Sequence, residues 1–148
     1  GKRDVDRHGK LNIKWEVKDA TKDSYPMTDY ILIDAPCTGT GVLGRKPDIK
    51  WRRKKMDIPE MAKKQFDILN HCSKFVKANG VIVYATCSIE PEENWNVVDR
   101  FLNFNPNFRL DDVHSMVPKS WIDERGAMST LPHINRVDGM VAARIIKE

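Results

Sequence analysis

The sequence predicts one α/β domain over residues 1–148, with a C-terminal antiparallel strand pair closing one sheet edge. Three observations carry this expectation. Tyr30 to Asp34 and Val81 to Thr86 are short, β-rich apolar runs without polar alternation, as parallel strands covered on both faces would be. A helix-length amphipathic stretch lies between them, which a strand–helix–strand unit requires. Each run also delivers a cysteine just past its end, Cys37 and Cys87. Ligands of open α/β sheets bind outside the carboxyl ends of the strands, so both thiols are expected at one rim.

Composition narrows the setting. A hydrophobic content of 41% and a charged content of 31% suit a globular domain with a real core. No apolar run approaches the roughly 18 residues that span a membrane. The polar start, GKRDVDRHGK, is no signal peptide. Three cysteines without framework spacing argue for a reducing compartment, and the expected location is cytoplasmic. No Cys/His cluster has zinc spacing, and no metal is expected. The net charge of +4 is a patch: Arg45, Lys46, Lys50, Arg52, Arg53, Lys54 and Lys55 face one acid, Asp48, while the rest of the chain is slightly negative. A basic stripe containing Trp51 and following a cysteine loop points to a polyanionic partner.

In chain order, Leu11 to Val17 alternates apolar and polar residues and reads as a half-buried or edge strand. Asp19 follows in turn chemistry; a carboxylate there could meet a ligand, and a turn or cap role is the plainer reading. After the Tyr30 strand, Gly39 to Gly44 matches G-x-G-x-x-G formally. Pro36 and Cys37 before it, and Arg45-Lys46-Pro47 after it, exclude the helix opening that a dinucleotide fingerprint needs. Those glycines read as a pliant loop. A helix is expected from about Pro59 to Lys77, with Gly80 as its C-cap and Cys72 an inert member of its apolar stripe. A second helix begins in SIEPEENW and runs to about Asn103, with acids at its positive end and Trp95, Val98, Phe101 and Leu102 inward. NPNF is a turn. Ala127 to Leu131 and Met140 to Ile146 are the expected antiparallel pair.

A thiolate is a strong nucleophile whose reactivity follows its pKa and access. Cys87 stands just before a helix N-terminus, which favours thiolate, and Cys37 follows Pro36, which stiffens its loop. Asp34 ends the same strand. Two thiols and a carboxylate at one rim suit covalent addition to an electron-poor ring, with the acid at its protonated edge. The alternative is that the cysteines are simply buried; their matched positions beside an acid and a basic loop favour function.

These segments resemble one family. Asp34-Ala35-Pro36-Cys37-Thr38-Gly39-Thr40-Gly41, then Arg45 to Trp51 (RKPDIKW), Thr86-Cys87-Ser88 with Pro91 to Asn94 (PEEN), Leu131-Pro132-His133 and Asp138-Gly139 are similar, in order, to the Sun/Fmu-type RNA cytosine-5 methyltransferases, relatives of the Nop and NSUN proteins. The resemblance implies a Rossmann-like fold that uses S-adenosyl-L-methionine, with RNA as substrate; RKPDIKW is similar to the branch acting on small-subunit ribosomal RNA. It implies that Cys87 adds to cytosine C6, that Cys37 assists release, and that Asp34 meets the base edge or the cofactor's amino group. Asp19, Asp34 and Pro36 would line the cofactor, and Arg45, Lys46, Lys50, Trp51, Arg52 and Arg53 would hold RNA. The family's glycine-rich cofactor loop and its first strands match nothing before Asp19. The fold is therefore expected truncated on its N-terminal side, its missing half in the same or another chain, with weak or no activity alone. The competing expectation is an RNA-binding or partner-binding remnant. A thiol redox protein would show C-x-x-C, which is absent here.

Overall fold

The computed structural model describes residues 12–148. Its sheet begins with the parallel pair of β1 (Thr28–Asp34) and β2 (Val76–Thr86), in register from Tyr30 opposite Val81 to Asp34 opposite Ala85. The connection runs through a short helix α1 (Ile49–Arg52) and the amphipathic α2 (Asp57–Cys72). After β2 come α3 (Trp95–Phe104), β3 (Phe108–Asp111), β4 (Met128–Thr130), α4 (Pro132–Asn135) and β5 (Met140–Lys147). The sheet order is β1-β2-β5-β3, with β4 also beside β5.

The expected C-terminal pair forms: Met128 stands opposite Ala142, and Thr130 opposite Met140. β5 does more than pair with β4, because its other side runs antiparallel to β2 from Val81–Ile146 to Thr86–Val141. The unanticipated β3 fills the remaining length of β5, after the Asn105–Phe108 turn. An exposed Arg109 and a short span hid it, since its ladder comes from a strand more than thirty residues away.

One face of the sheet carries the core. Ile33, Ile82, Tyr84, Ala143 and Ile145 alternate inward and meet Phe66, Ile68 and Leu69 of α2 and Val97, Val98 and Phe101 of α3. Phe101 is fully buried, and its ring stands edge-on to Phe108 at 5.1 Å. The opposite face of β1 is open, with Tyr30 76% and Leu32 72% exposed. The expectation that β1 is covered on both faces is thus corrected: nothing among the described residues packs on its outer side, and it forms a sheet edge.

Three local expectations also change. Leu11 lies outside the described residues, and 12–17 form no strand; Ile13, Trp15 and Val17 are all exposed. Alternation alone makes no strand without a neighbouring ladder to take up its backbone groups. The long helix stops at Cys72, extended only by a 3-10 turn over Ser73–Phe75, so Gly80 is no helix cap. Val76 already pairs with Thr28, and Lys77 to Gly80 bulge out before the ladder resumes at Val81, with Asn79 at φ 61°. Gly80 is needed for closeness, because a Cβ there would stand 2.9 Å from the Asp29 carbonyl oxygen. The second helix starts later than expected: Pro91–Glu93 is a 3-10 turn, and α-helix begins at Trp95.

Candidate active site

The site grows from the register of β1 and β2. Asp34 and Ala85 are partners, and the Ala35 amide donates to the Ala85 carbonyl at 2.8 Å, so both chains leave the sheet at one level. Pro36 and Cys37 follow on one side, Thr86 and Cys87 on the other. The two sulfurs lie 3.1 Å apart as free, half-buried thiols. Burial, and then the contact with Cys87, pushes the Cys37 thiol up to about 12. Cys37 therefore holds its proton at neutral pH, next to the Cys87 sulfur.

The loops bearing these thiols are stitched together. The Gly41 amide donates to the Cys87 carbonyl at 3.0 Å, and the Thr40 and Ser88 hydroxyls meet at 3.2 Å. The C-terminal loop closes over them: the Gly139 amide donates to the Gly41 carbonyl at 2.8 Å, and Asp138 pairs with Arg45 at 2.5 Å. A Cβ on Gly41 would meet the Gly139 carbonyl oxygen at 2.1 Å, so this glycine serves close backbone approach. The 3-10 turn at Thr40–Val42 replaces the helix that a dinucleotide loop would open.

Joining the two cysteine loops is a fully buried carboxylate, Glu93. It accepts from the Thr38 amide at 2.9 Å, the Thr38 hydroxyl, the Gln65 side-chain amide at 3.0 Å and the Ser88 hydroxyl at 2.6 Å. Its own carbonyl accepts from Tyr84, whose burial raises its phenol pKa. Glu93, Gln65 and Thr38 escaped sequence reasoning. The acids of PEEN read as helix-start chemistry, and only their repetition in so short a motif hinted at more.

The other anticipated residues divide. Asp34 and Pro36 line a groove of about 530 Å³ beside β1, whose walls include Ala20 and whose apolar floor includes Ile68, Cys72 and Phe75. Asp34 gives this groove an acidic rim suited to an amino group or hydroxyl, and the apolar walls suit the rest of a nucleoside-bearing cofactor. Cys72 sits buried in that floor, on the apolar side of α2. Asp19, next to Ala20, accepts from the Thr21 hydroxyl and amide, which together with Lys22 pull its carboxyl down to about 2. It is a turn former, and its neighbour Ala20 lines the groove. In the basic segment, Lys46, Lys50, Trp51 and Arg52 are exposed, and Lys50 lies 5.6 Å from the Trp51 ring. Arg45 is engaged by Asp138. Arg53 turns back to the Thr38 and Cys37 carbonyls at 3.3 and 3.4 Å, bracing the cysteine loop.

Likeness to solved structures fixes the class first: this is the α/β fold of S-adenosyl-L-methionine-dependent methyltransferases. The crystal structure of NSun6 from Pyrococcus horikoshii with SFG, an analogue of that cofactor, matches with a TM-score of 0.85 and 28% identity over 99% of this chain and 37% of that one. A methyltransferase homologue from the same organism matches with a TM-score of 0.65 and 29% identity, over 83% of this chain and 40% of that one. The chain belongs to the family described as 16S rRNA methyltransferase RsmB/F, whose family model matches residues 2–146. Ribosomal RNA small subunit methyltransferase B of Shewanella oneidensis is 44% identical over 119 residues, which is 80% of this chain and 27% of the relative. The Yersinia pseudotuberculosis protein of that name is 42% identical over 120 residues, 81% of this chain and 26% of its own. The chain thus spans about a quarter of the length of these curated relatives.

Proposed function

We propose that this chain is the C-terminal portion of the catalytic domain of an RNA cytosine-5 methyltransferase acting on small-subunit ribosomal RNA in the cytoplasm. The observation that carries the reading is the pairing of Cys37 and Cys87 at 3.1 Å on neighbouring strand ends, with Asp34 at the same rim. The Cys87 thiolate forms a bond to cytosine C6, and the ring electrons move to C5. S-adenosyl-L-methionine supplies the methyl group that C5 accepts. Loss of the C5 proton to solvent water then restores the ring and expels Cys87 as thiolate. Cys37, protonated at neutral pH and touching the Cys87 sulfur, is placed to assist this release. Asp34 holds the base edge or the cofactor's amino group, and Pro36 with the Asp19 turn borders the cofactor. The target base leaves its stack to reach the thiols. The exposed Lys46, Lys50 and Arg52 take backbone phosphates, Trp51 offers a stacking surface, and Arg45 and Arg53 stand beside them.

The groove beside β1 has an open side, where Tyr30 and Leu32 are exposed. The remaining part of the domain, in this or another chain, would cover that side and complete the cofactor site. The same opening favours a second reading, in which the 148 residues bind RNA through the basic segment without turnover. RNA containing 5-fluorocytosine separates the two, since fluorine at C5 blocks the final elimination. A covalent adduct that needs the cofactor and disappears in Cys87→Ala establishes the chemistry. Salt-sensitive binding without any adduct, for this chain and for this chain supplied with its N-terminal half, would establish the binding remnant instead.

A further inference from the structure

We propose that Glu93 is a positioning residue for both cysteines: its buried carboxylate joins the Cys37 loop to the Cys87 loop and sets the thiol-to-thiol separation. The inference rests on the reading of these thiols as the reacting pair and adds to it a residue that touches neither sulfur.

The geometry is specific to the residues that flank each thiol. Glu93 receives two donors from Thr38, one position after Cys37, and one from Ser88, one position after Cys87. The Gln65 amide that donates to Glu93 also donates to the Pro36 carbonyl at 2.8 Å, one position before Cys37. Asn94 completes the set: it accepts from the Thr86 hydroxyl and donates to the Ser88 carbonyl at 2.9 Å, on either side of Cys87. The chain neighbours of both cysteines are thus fixed by the dipeptide Glu93-Asn94 and by Gln65.

Burying a carboxylate is costly unless its acceptors are filled. Four donors fill them here, from Thr38, Gln65 and Ser88, and no lysine, arginine or histidine among the described residues forms an ion pair with it. Apolar packing would join these loops at lower cost, but it lacks direction. Four directed bonds to one rigid planar group leave the loops little freedom to slide, which is what two sulfurs in contact require.

The test is peptide-resolved alkylation of the 148-residue chain by iodoacetamide at about pH 8, with wild type, Glu93→Gln and Glu93→Ala compared. Cys72, buried on α2 and hydrogen-bonded to the Ala20 carbonyl at 3.6 Å, not to a clamp residue, is the internal control. Releasing the loops lets Cys37 leave Cys87 and meet water, so its labelling accelerates roughly tenfold or more, the gain in thiolate when a thiol's pKa falls by about one. Cys72 stays at its wild-type rate. Glu93→Gln keeps the size of the side chain but replaces one acceptor oxygen by a donor, and it gives the same pattern in weaker form. If Glu93→Ala does not fold, Glu93→Gln decides. Cys37 labelling in Glu93→Gln within about twofold of wild type overturns the proposal. So does Cys72 labelling that rises in step, because that reports general loosening. The assay needs neither RNA nor cofactor. A clamp pattern with no Cys87-dependent trapping would sink the catalytic reading alone, and trapping with unchanged alkylation would sink only the clamp.

Discussion

Cys37 and Cys87 touch through their sulfurs at 3.1 Å, although fifty residues separate them in the chain. The contact links chemistry to stability. Burial and the neighbouring sulfur raise the Cys37 thiol from its ordinary 9.0 to about 12, so the folded protein favours the protonated form. A group raised in this way stabilises the fold below its unfolded pKa and loses that contribution as pH climbs through its folded one. Thermal stability should therefore decline between about pH 9 and 12, and the decline should be shallower in Cys37→Ser, which cannot titrate there. Melting curves across that window check it; identical slopes would remove Cys37 from the account.

Gly41 should tolerate no side chain. Its Cβ would meet the Gly139 carbonyl oxygen at 2.1 Å and the Cys87 carbonyl oxygen at 2.9 Å, both backbone atoms. Gly41→Ala should cost about 1–3 kcal/mol through overpacking and should also shift the cysteine loops. Urea unfolding measures the cost, and Cys37 alkylation reports the shift. Wild-type behaviour in both would show that the C-terminal loop yields freely.

The Arg45–Asp138 ion pair predicts a contrast. Arg45 is largely exposed, so Asp138→Ala should change stability by no more than about 1 kcal/mol. Loss of that carboxylate leaves Arg45 free for phosphate, so RNA binding in a filter assay should strengthen slightly and only at low salt. A large loss of stability would mean that Asp138 matters through its loop more than its charge.

For RNA, Trp51→Ala should cost about 1–3 kcal/mol of binding, the size of one stacked base, without destabilising the fold, because the indole is 84% exposed. Lys50→Ala should instead weaken binding uniformly and lower the salt slope by roughly 0.7 for each single-strand phosphate that the ammonium no longer neutralises. Titrations at several salt concentrations separate the two signatures.

The core offers a conventional check. Phe101 is fully buried against the sheet, edge-on to Phe108 of β3, and Phe101→Ala should cost about 3–5 kcal/mol. Equilibrium urea unfolding should show either that loss or, if the margin is smaller, no folded baseline at all.

The order β1, α2, β2, α3 was legible because each element declares itself within a dozen residues: apolar β-rich runs, a 3.6-residue stripe, proline and acids at a helix start. The meeting of Cys37 and Cys87 was legible for the same reason, since parallel neighbours end at a common edge. Errors fell where local pattern and ladder competed. Residues 12–17 carry strand periodicity without a partner, while Phe108–Asp111 has a partner but little periodicity. At Gly80 a helix-cap signature proved to be a bulge, because Val76 had already found Thr28.

By itself, the sequence determined which residue types could do chemistry, on which strand ends they stood, and the family whose motifs they match. Only the tertiary structure decided how they are held. A carboxylate in a run of acids reads as surface or helix cap until folding removes its water, and then it must find donors. Glu93 found them on Thr38, Gln65 and Ser88, in three segments that share no local pattern. Desolvation creates that demand, and desolvation exists only once the chain has packed.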